Sequence, residues 1–188
     1  MMEMHDRISS QIAVFFAEFI KVDVANYRKL CQNEIEIAFL CGLRAAWVAI
    51  LGVNVIVTTE GACDGWSITP QFKLDGMRID FALNYRNGGK KISIAIECDG
   101  HNFHERTKQQ AERDRSRDRT LQMHFDYVLR FTGSEIYRDM LDVSGQVLSI
   151  VENHMKSKFG VAFANECAPT PIGQRLRRFA PVEEGVNR

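Results

Sequence analysis

Two turn signals divide the middle of the chain into strands. Asp75-Gly76 and Asn87-Gly88-Gly89 carry the chemistry of tight hairpins, because Asp, Asn and Gly tolerate the positive φ that two-residue hairpin turns demand. Ser67–Leu74, Met77–Leu83 and Lys91–Glu97 flank them, so the spacing predicts three antiparallel strands in succession. Alternation then sorts the side chains: Ile79, Phe81 and Leu83 are expected on one face with Asp80 opposed to them, and Ile92, Ile94 and Ile96 opposed to Glu97. Both carboxylates are thereby expected to leave the same side of the sheet. Two oxygen ligands so placed suit a hard divalent cation such as Mg2+, with Mn2+ as a substitute, which polarises a phosphate and lowers the pKa of an attacking water. A solvated polar face is the other reading of the same pattern.

Helical patterns surround this meander. Asn33 offers an N-cap with Glu36 three residues on, a capping-box pattern that opens a helix through Phe39, Leu40, Leu43, Trp47 and Ile50 to a stop at Gly52. Val53 to Thr58 is a β-rich run. From His104 to His124 the pattern is helical and intensely charged, Tyr127–Phe131 returns to a strand, and Ser134 is a candidate cap for a helix that continues, with breaks, to Lys158. Near the start, Ile8, Ile12, Phe15, Phe16 and Phe19 recur at helical spacing, an amphipathic face that would dock on the domain, on a partner protein or on a second copy. The stretch from Asn165, with Pro169, Pro171, Arg175, Arg177, Arg178 and Pro181, has no periodicity and reads as an extended arm. The expected division is therefore a helical extension over 1–32, one domain over 33–160 and a basic arm over 161–188.

Asp80, then Glu97-x-Asp99-Gly100-His101, then a charged helix and Val128-Leu129-Arg130-Phe131 form an order that resembles the PD-(D/E)xK restriction-endonuclease-like superfamily. The likeness runs from about residue 33 to 138, and within the superfamily is nearest to the small proteins related to very-short-patch repair endonucleases, which carry an acid-x-Asp-Gly run. It implies an α/β fold with a mixed sheet, ordered helix, three or four strands, helix, strand, helix, with an extra N-terminal helix. It also implies an enzyme, a Mg2+-dependent endonuclease hydrolysing DNA phosphodiester bonds, with Asp80 and Glu97 as the metal ligands. Glu36 is a third acid by the same resemblance, since family members often carry a glutamate on the helix before the sheet; Glu34 is its fallback. Asp99 stands where the pattern usually has lysine. Lys108 is a candidate to supply that cation, because some members carry it on this helix, although a solvated lysine is the simpler explanation. The departure keeps open a nucleic-acid-binding module, or a non-catalytic subunit of a larger nuclease assembly.

The remaining candidates follow from residue chemistry. Asp99 either joins the metal shell or accepts hydrogen bonds from the turn that Gly100 permits. His101 and His104 follow at once, and an imidazole there would take a proton from water, bind the metal or contact phosphate, unless it is a structural hydrogen-bonding residue. Zinc held by Cys98, His101 and His104 is disfavoured, because Cys98 should face the core. On the charged helix, Asp114 and Asp118 share a face with Ala111 and Leu121, and one or the other is expected to bond to Arg117 or Arg115 or to backbone donors near the site. Arg115, Arg119 and Arg130 are candidates for positioning DNA phosphates, and Gln71 for reaching a strand oxygen. With 24 basic and 24 acidic side chains the net charge is zero, so such binding would come from local patches. Five cysteines without a CxxC pair read as reduced thiols, and no segment fits a signal peptide or a spanning helix, which together suggest a cytoplasmic protein.

Overall fold

The computed structural model describes residues 23–51, 55–99 and 108–160. The predicted first helix, the segment 100–107 with His101 and His104, and the arm from 161 lie outside the described residues, as do the side chains of 108–111, Lys108 among them. The ordered elements are α1 (Glu34–Leu51), β1 (Ile56–Val57), β2 (Gly65–Leu74), β3 (Met77–Asn87), β4 (Lys90–Asp99), α2 (Lys108–His124), β5 (Tyr127–Thr132), α3 (Gly133–Arg138) and α4 (Met140–Phe159).

Both turn signals do what their chemistry predicts. Asp75 and Gly76 sit at φ 48° and 76°, and Gly88 and Gly89 at 52° and 81°, so each hairpin closes through two left-handed residues. β2, β3 and β4 are antiparallel, while β1 joins β2 and β5 joins β4 in parallel, giving one mixed sheet in the order β1-β2-β3-β4-β5. The parallel β4-β5 pair needs a crossover, and α2 lies within it.

The two faces of this sheet are unequal. α1 and α4 cover one, where Phe39, Leu40, Leu43 and Trp47 meet Ile68, Phe81, Leu83, Ile94 and Ile96, with Val147, Val151 and Met155 behind. Gly42 is required there: a Cβ on it would lie 2.2 Å from Met140 Cγ, so α4 begins against bare backbone. α2 covers the other face, where the cluster of buried residues among those described is Ile79, Ala82, Ala95, Leu121 and Phe125. We call these the aromatic face and the α2 face.

Membership of the two clusters corrects the expected alternation. Phe81 and Leu83 lie on the aromatic face but Ile79 packs on the α2 face, and on β2 Ile68 lies on the first while Phe72 and Leu74 pack against the second. Pairing resumes unchanged on either side of the switch, Pro70 with Phe81 and Phe72 with Ile79. Gln71, at φ 51°, sits at the level where the faces exchange, opposite Asp80. A left-handed residue rotates the next side chain out of the pleat, and here both strands turn over together.

At the other termini, Thr132 rather than Ser134 caps α3, with a capping box to Glu135, since the strand runs directly into the helix. Asp139 breaks the helical run and caps α4 by accepting from the Asp142 N–H. β1 is shorter than the Val53 to Thr58 run suggests, only Ile56–Val57. Among the described residues no helix is long and apolar enough to cross a membrane.

Candidate active site at the switched strand ends

The exchange of faces is where the acids gather. The β3-β4 ladder is paired from Phe81 with Ile96; one step beyond, at Asp80 and Glu97, the pairing ends. There the Asp80 carboxylate replaces a backbone carbonyl and accepts the Cys98 N–H at 2.7 Å. Burial pushes the Asp80 carboxyl above its usual range; the Cys98 N–H opposes that rise, and the neighbouring Glu97 adds to it. Asp80 and Glu97 are thus neighbours, as expected, although the simple alternation that suggested it does not hold at residue 79.

Glu36 reaches the same place from α1. Only 2% exposed, it accepts the Gln32 N–H at 2.7 Å and the amides of Asn33 and Gln71, each at 2.8 Å. Asn33 returns the bond by accepting the Glu36 N–H, so the predicted cap exists and its acid also points inward. Burial raises the Glu36 carboxyl, the Gln32 N–H lowers it and Asp80 raises it again. Glu34, the fallback, is exposed and pairs with Arg28. Gln71 lies beside the acids as a half-buried donor to Glu36, and its own Oε1 is buried without a hydrogen-bond partner among the described residues.

Glu97 projects to the α2 face, where it is 6% exposed and clasped by two arginines. Arg117, from α2, donates to Oε1 and also to the Arg78 carbonyl at 2.6 Å. Arg130 donates through Nε to Oε2 at 3.2 Å, and through both terminal nitrogens to Asp118. On α2, Asp118 takes Arg130 from the adjacent strand, and Arg117 reaches past its own helix to Glu97. The reason is distance, since α2 lies across β5 and both partners sit on the strand floor below it. The Asp118 bonds and Glu97 together hold Arg130 in its charged form. Arg115 and Arg119 are exposed on the outer side of the helix.

Asp99 ends β4 opposite Thr132 and adds to the negative field on Asp80. Cys98 belongs to the aromatic-face core, as its strand position required, and burial pushes its thiol up. Cys31, Cys41, Cys63 and Cys98 are free thiols. Sequence reasoning missed the clasp on Glu97; the only signal was that Arg130 pairs in register with it across two parallel strands.

Among the described residues no three His, Cys, Asp or Glu side chains converge to hold a metal ion. A magnesium ion that keeps several waters asks for only one or two carboxylates. Asp80, Glu97 and Glu36 supply hard oxygen donors from three elements, and Asp80 and Glu36 are poised against each other in a setting that favours an added cation. The unpartnered Gln71 Oε1 beside them is a further hard acceptor. By donor type these residues fit the group, with both oxygens of Glu97 held by arginines.

A helix, a mixed five-stranded sheet with the central antiparallel hairpins, and acids at its opened strand ends define a restriction-endonuclease-like protein. The family model REase_MTES_1575, of restriction-endonuclease-like type, matches residues 56–150, and the chain belongs to that family. The match takes in all five strands, with Asp80 and Glu97, and leaves α1 with Glu36 outside it. No curated protein and no solved structure matches the chain.

Proposed function

We propose that the protein is a metal-dependent endonuclease hydrolysing DNA phosphodiester bonds. The observation that carries this reading is the meeting of Asp80 and Glu97 at the opened end of β3 and β4, with Glu36 behind them and burial, then like charge, raising both Asp80 and Glu36. Asp80 and Glu97 would hold Mg2+ or Mn2+, which supplies Lewis acidity and a more acidic water when bound. Glu36 orders Gln71 and adds negative charge behind Asp80. Asp99 lies at the mouth of the same site, and His101 and Lys108 follow it in the chain as candidates for proton transfer and charge neutralisation. Arg115 and Arg119 face outward from α2, where a DNA backbone would pass. Plasmid and mismatched duplexes are the substrates to try first.

Calorimetric titration with Mn2+ and Mg2+ tests the site before any substrate is known: the wild type should bind, and Asp80→Ala should lose at least about tenfold in affinity. Cleavage of plasmid and of mismatched duplexes should need the metal and vanish in Asp80→Ala and Glu97→Ala. Robust cutting by both purified variants would sink the proposal.

One observation favours a second reading. Both oxygens of Glu97 are engaged by arginines, which suits a fold kept for gripping nucleic acid without cutting it. Salt-sensitive DNA binding, with no metal-dependent cleavage of any duplex, would favour that reading.

A further inference from the structure

Arg117 holds a position that its helix neighbours do not. Arg130 is shared between two carboxylates, Glu97 and Asp118, and its charge is largely answered within the protein. Arg115 and Arg119 stand exposed on the outer side of α2. Arg117 alone among these reaches the strand floor from the helix and meets one carboxylate, Glu97, and one carbonyl, that of Arg78, both through the same terminal nitrogen. Its Nε is buried with no hydrogen-bond partner among the described residues, while about a third of the side chain, 37%, faces solvent. An acceptor arriving from solvent meets the exposed third of this side chain, not its buried Nε.

We propose that Arg117 is the side chain that grips the phosphate of a bound nucleic acid at this site, pinned in advance by Glu97 and the Arg78 carbonyl. The inference deepens the nuclease reading and rests on it for the identity of the ligand. A planar fork with one prong fixed presents its remaining donors to a tetrahedral oxyanion at little further loss of freedom. The place is apt, because Arg117 is the cation whose field Asp80 feels. A phosphate drawn to Arg117 would therefore come up against the acids. Charge at this point comes from the helix, whereas position 99 of the strand carries an acid.

The test is binding of a short labelled DNA duplex to the full chain in metal-free buffer, followed by fluorescence anisotropy. Arg117→Met should weaken binding by about tenfold, whereas Arg86→Met, which removes the same charge at the far end of β3, should change it by less than about twofold. The same loss should appear when Arg117→Met is made in a Glu97→Gln background, because a phosphate contact does not depend on the Glu97 charge. Unchanged affinity in Arg117→Met overturns the proposal, and so does a loss that disappears in the Glu97→Gln background, which would make Arg117 a counter-ion only. Should Arg117→Met fail to fold, Arg117→Lys carries the comparison: it keeps the charge but not the fork, and should bind roughly three- to tenfold more weakly, unchanged affinity again counting against it. Failure of the nuclease reading would show separately, as a wild type that cuts nothing with Mg2+ or Mn2+, and would leave this binding comparison intact.

Discussion

On the aromatic face Phe39 lies between Phe81 and Phe131, at ring-centroid distances of 5.2 and 6.0 Å, and Trp47, Trp66 and Tyr85 continue the row with successive rings 4.8 Å apart. On the α2 face the corresponding depth holds two alanines, Ile79, Leu121, Phe125 and then a lattice of Glu97, Arg117, Arg130 and Asp118. Apolar burial is non-directional and dominates folding free energy, whereas buried ion pairs cost desolvation and return it only with good geometry. The division of labour follows: one face supplies stability, and the other holds charged groups at fixed positions that a packed core could not host.

The largest test of that division is a pair of truncations. Phe39→Ala should cost about 3–5 kcal/mol and Leu121→Ala about 2–3 kcal/mol, near the low end for buried leucine, because the smaller cluster has fewer neighbours to lose. Urea denaturation measures both, and an equal or larger cost at Leu121 would break the comparison. Next in size is Arg130→Met, which among the described residues leaves Glu97 with Arg117 and takes from Asp118 its ion-pair partner. A loss of about 1–3 kcal/mol is expected, and a smaller loss in the Arg130→Met, Glu97→Gln double variant, since an unpaired buried charge hurts more than a missing pair. If the double variant loses more than the single one, the lattice is a stability device after all.

The smallest effect is the most diagnostic in sign. Burial raises the carboxyls of Asp80 and Glu36 in the folded chain, so each binds its proton more tightly there than when unfolded. The stability this contributes is fully present below the ordinary carboxylate range and is lost as pH rises through the folded values. This contribution to the stability of the metal-free protein should therefore shrink as pH climbs above about 4. Asp80→Asn, which keeps an acceptor for the Cys98 N–H, should weaken less, with Tm at pH 7 higher by roughly 2–4 °C. A difference between the two proteins that stays constant across pH would remove like-charge crowding from the account of the site.

Much of this was legible before any coordinates. Asp75-Gly76 and Gly88-Gly89 announce their turns because few residues accept positive φ, and Asn33 with Glu36 announces the start of α1 because capping is a local affair. The order of elements follows from those signals. What escaped was non-local. Nothing in Ile79-Asp80-Phe81 reveals that the pleat turns over there, since the cause is Gln71 on the neighbouring strand, a residue with no special liking for left-handed backbone. The partners of Arg117 and Arg130 escaped for a similar reason: helical spacing pairs a charge with its own helix, and here the sheet below offered Glu97 first.

The exchange of faces at Gln71 and Asp80 also limits how this hairpin can change length. Beyond that level the side chains at 72, 74, 77 and 79 belong to the α2 cover, and before it those at 66, 68, 81 and 83 belong to the aromatic one. Inserting or deleting one residue on a single strand between the switch and Asp75-Gly76 would send the apolar groups past it to the wrong cover. Matched changes on both strands would lengthen or shorten the tip and leave the acids where they are. The tip can therefore grow or shrink only symmetrically, as a tunable reach toward whatever lies in front of the site.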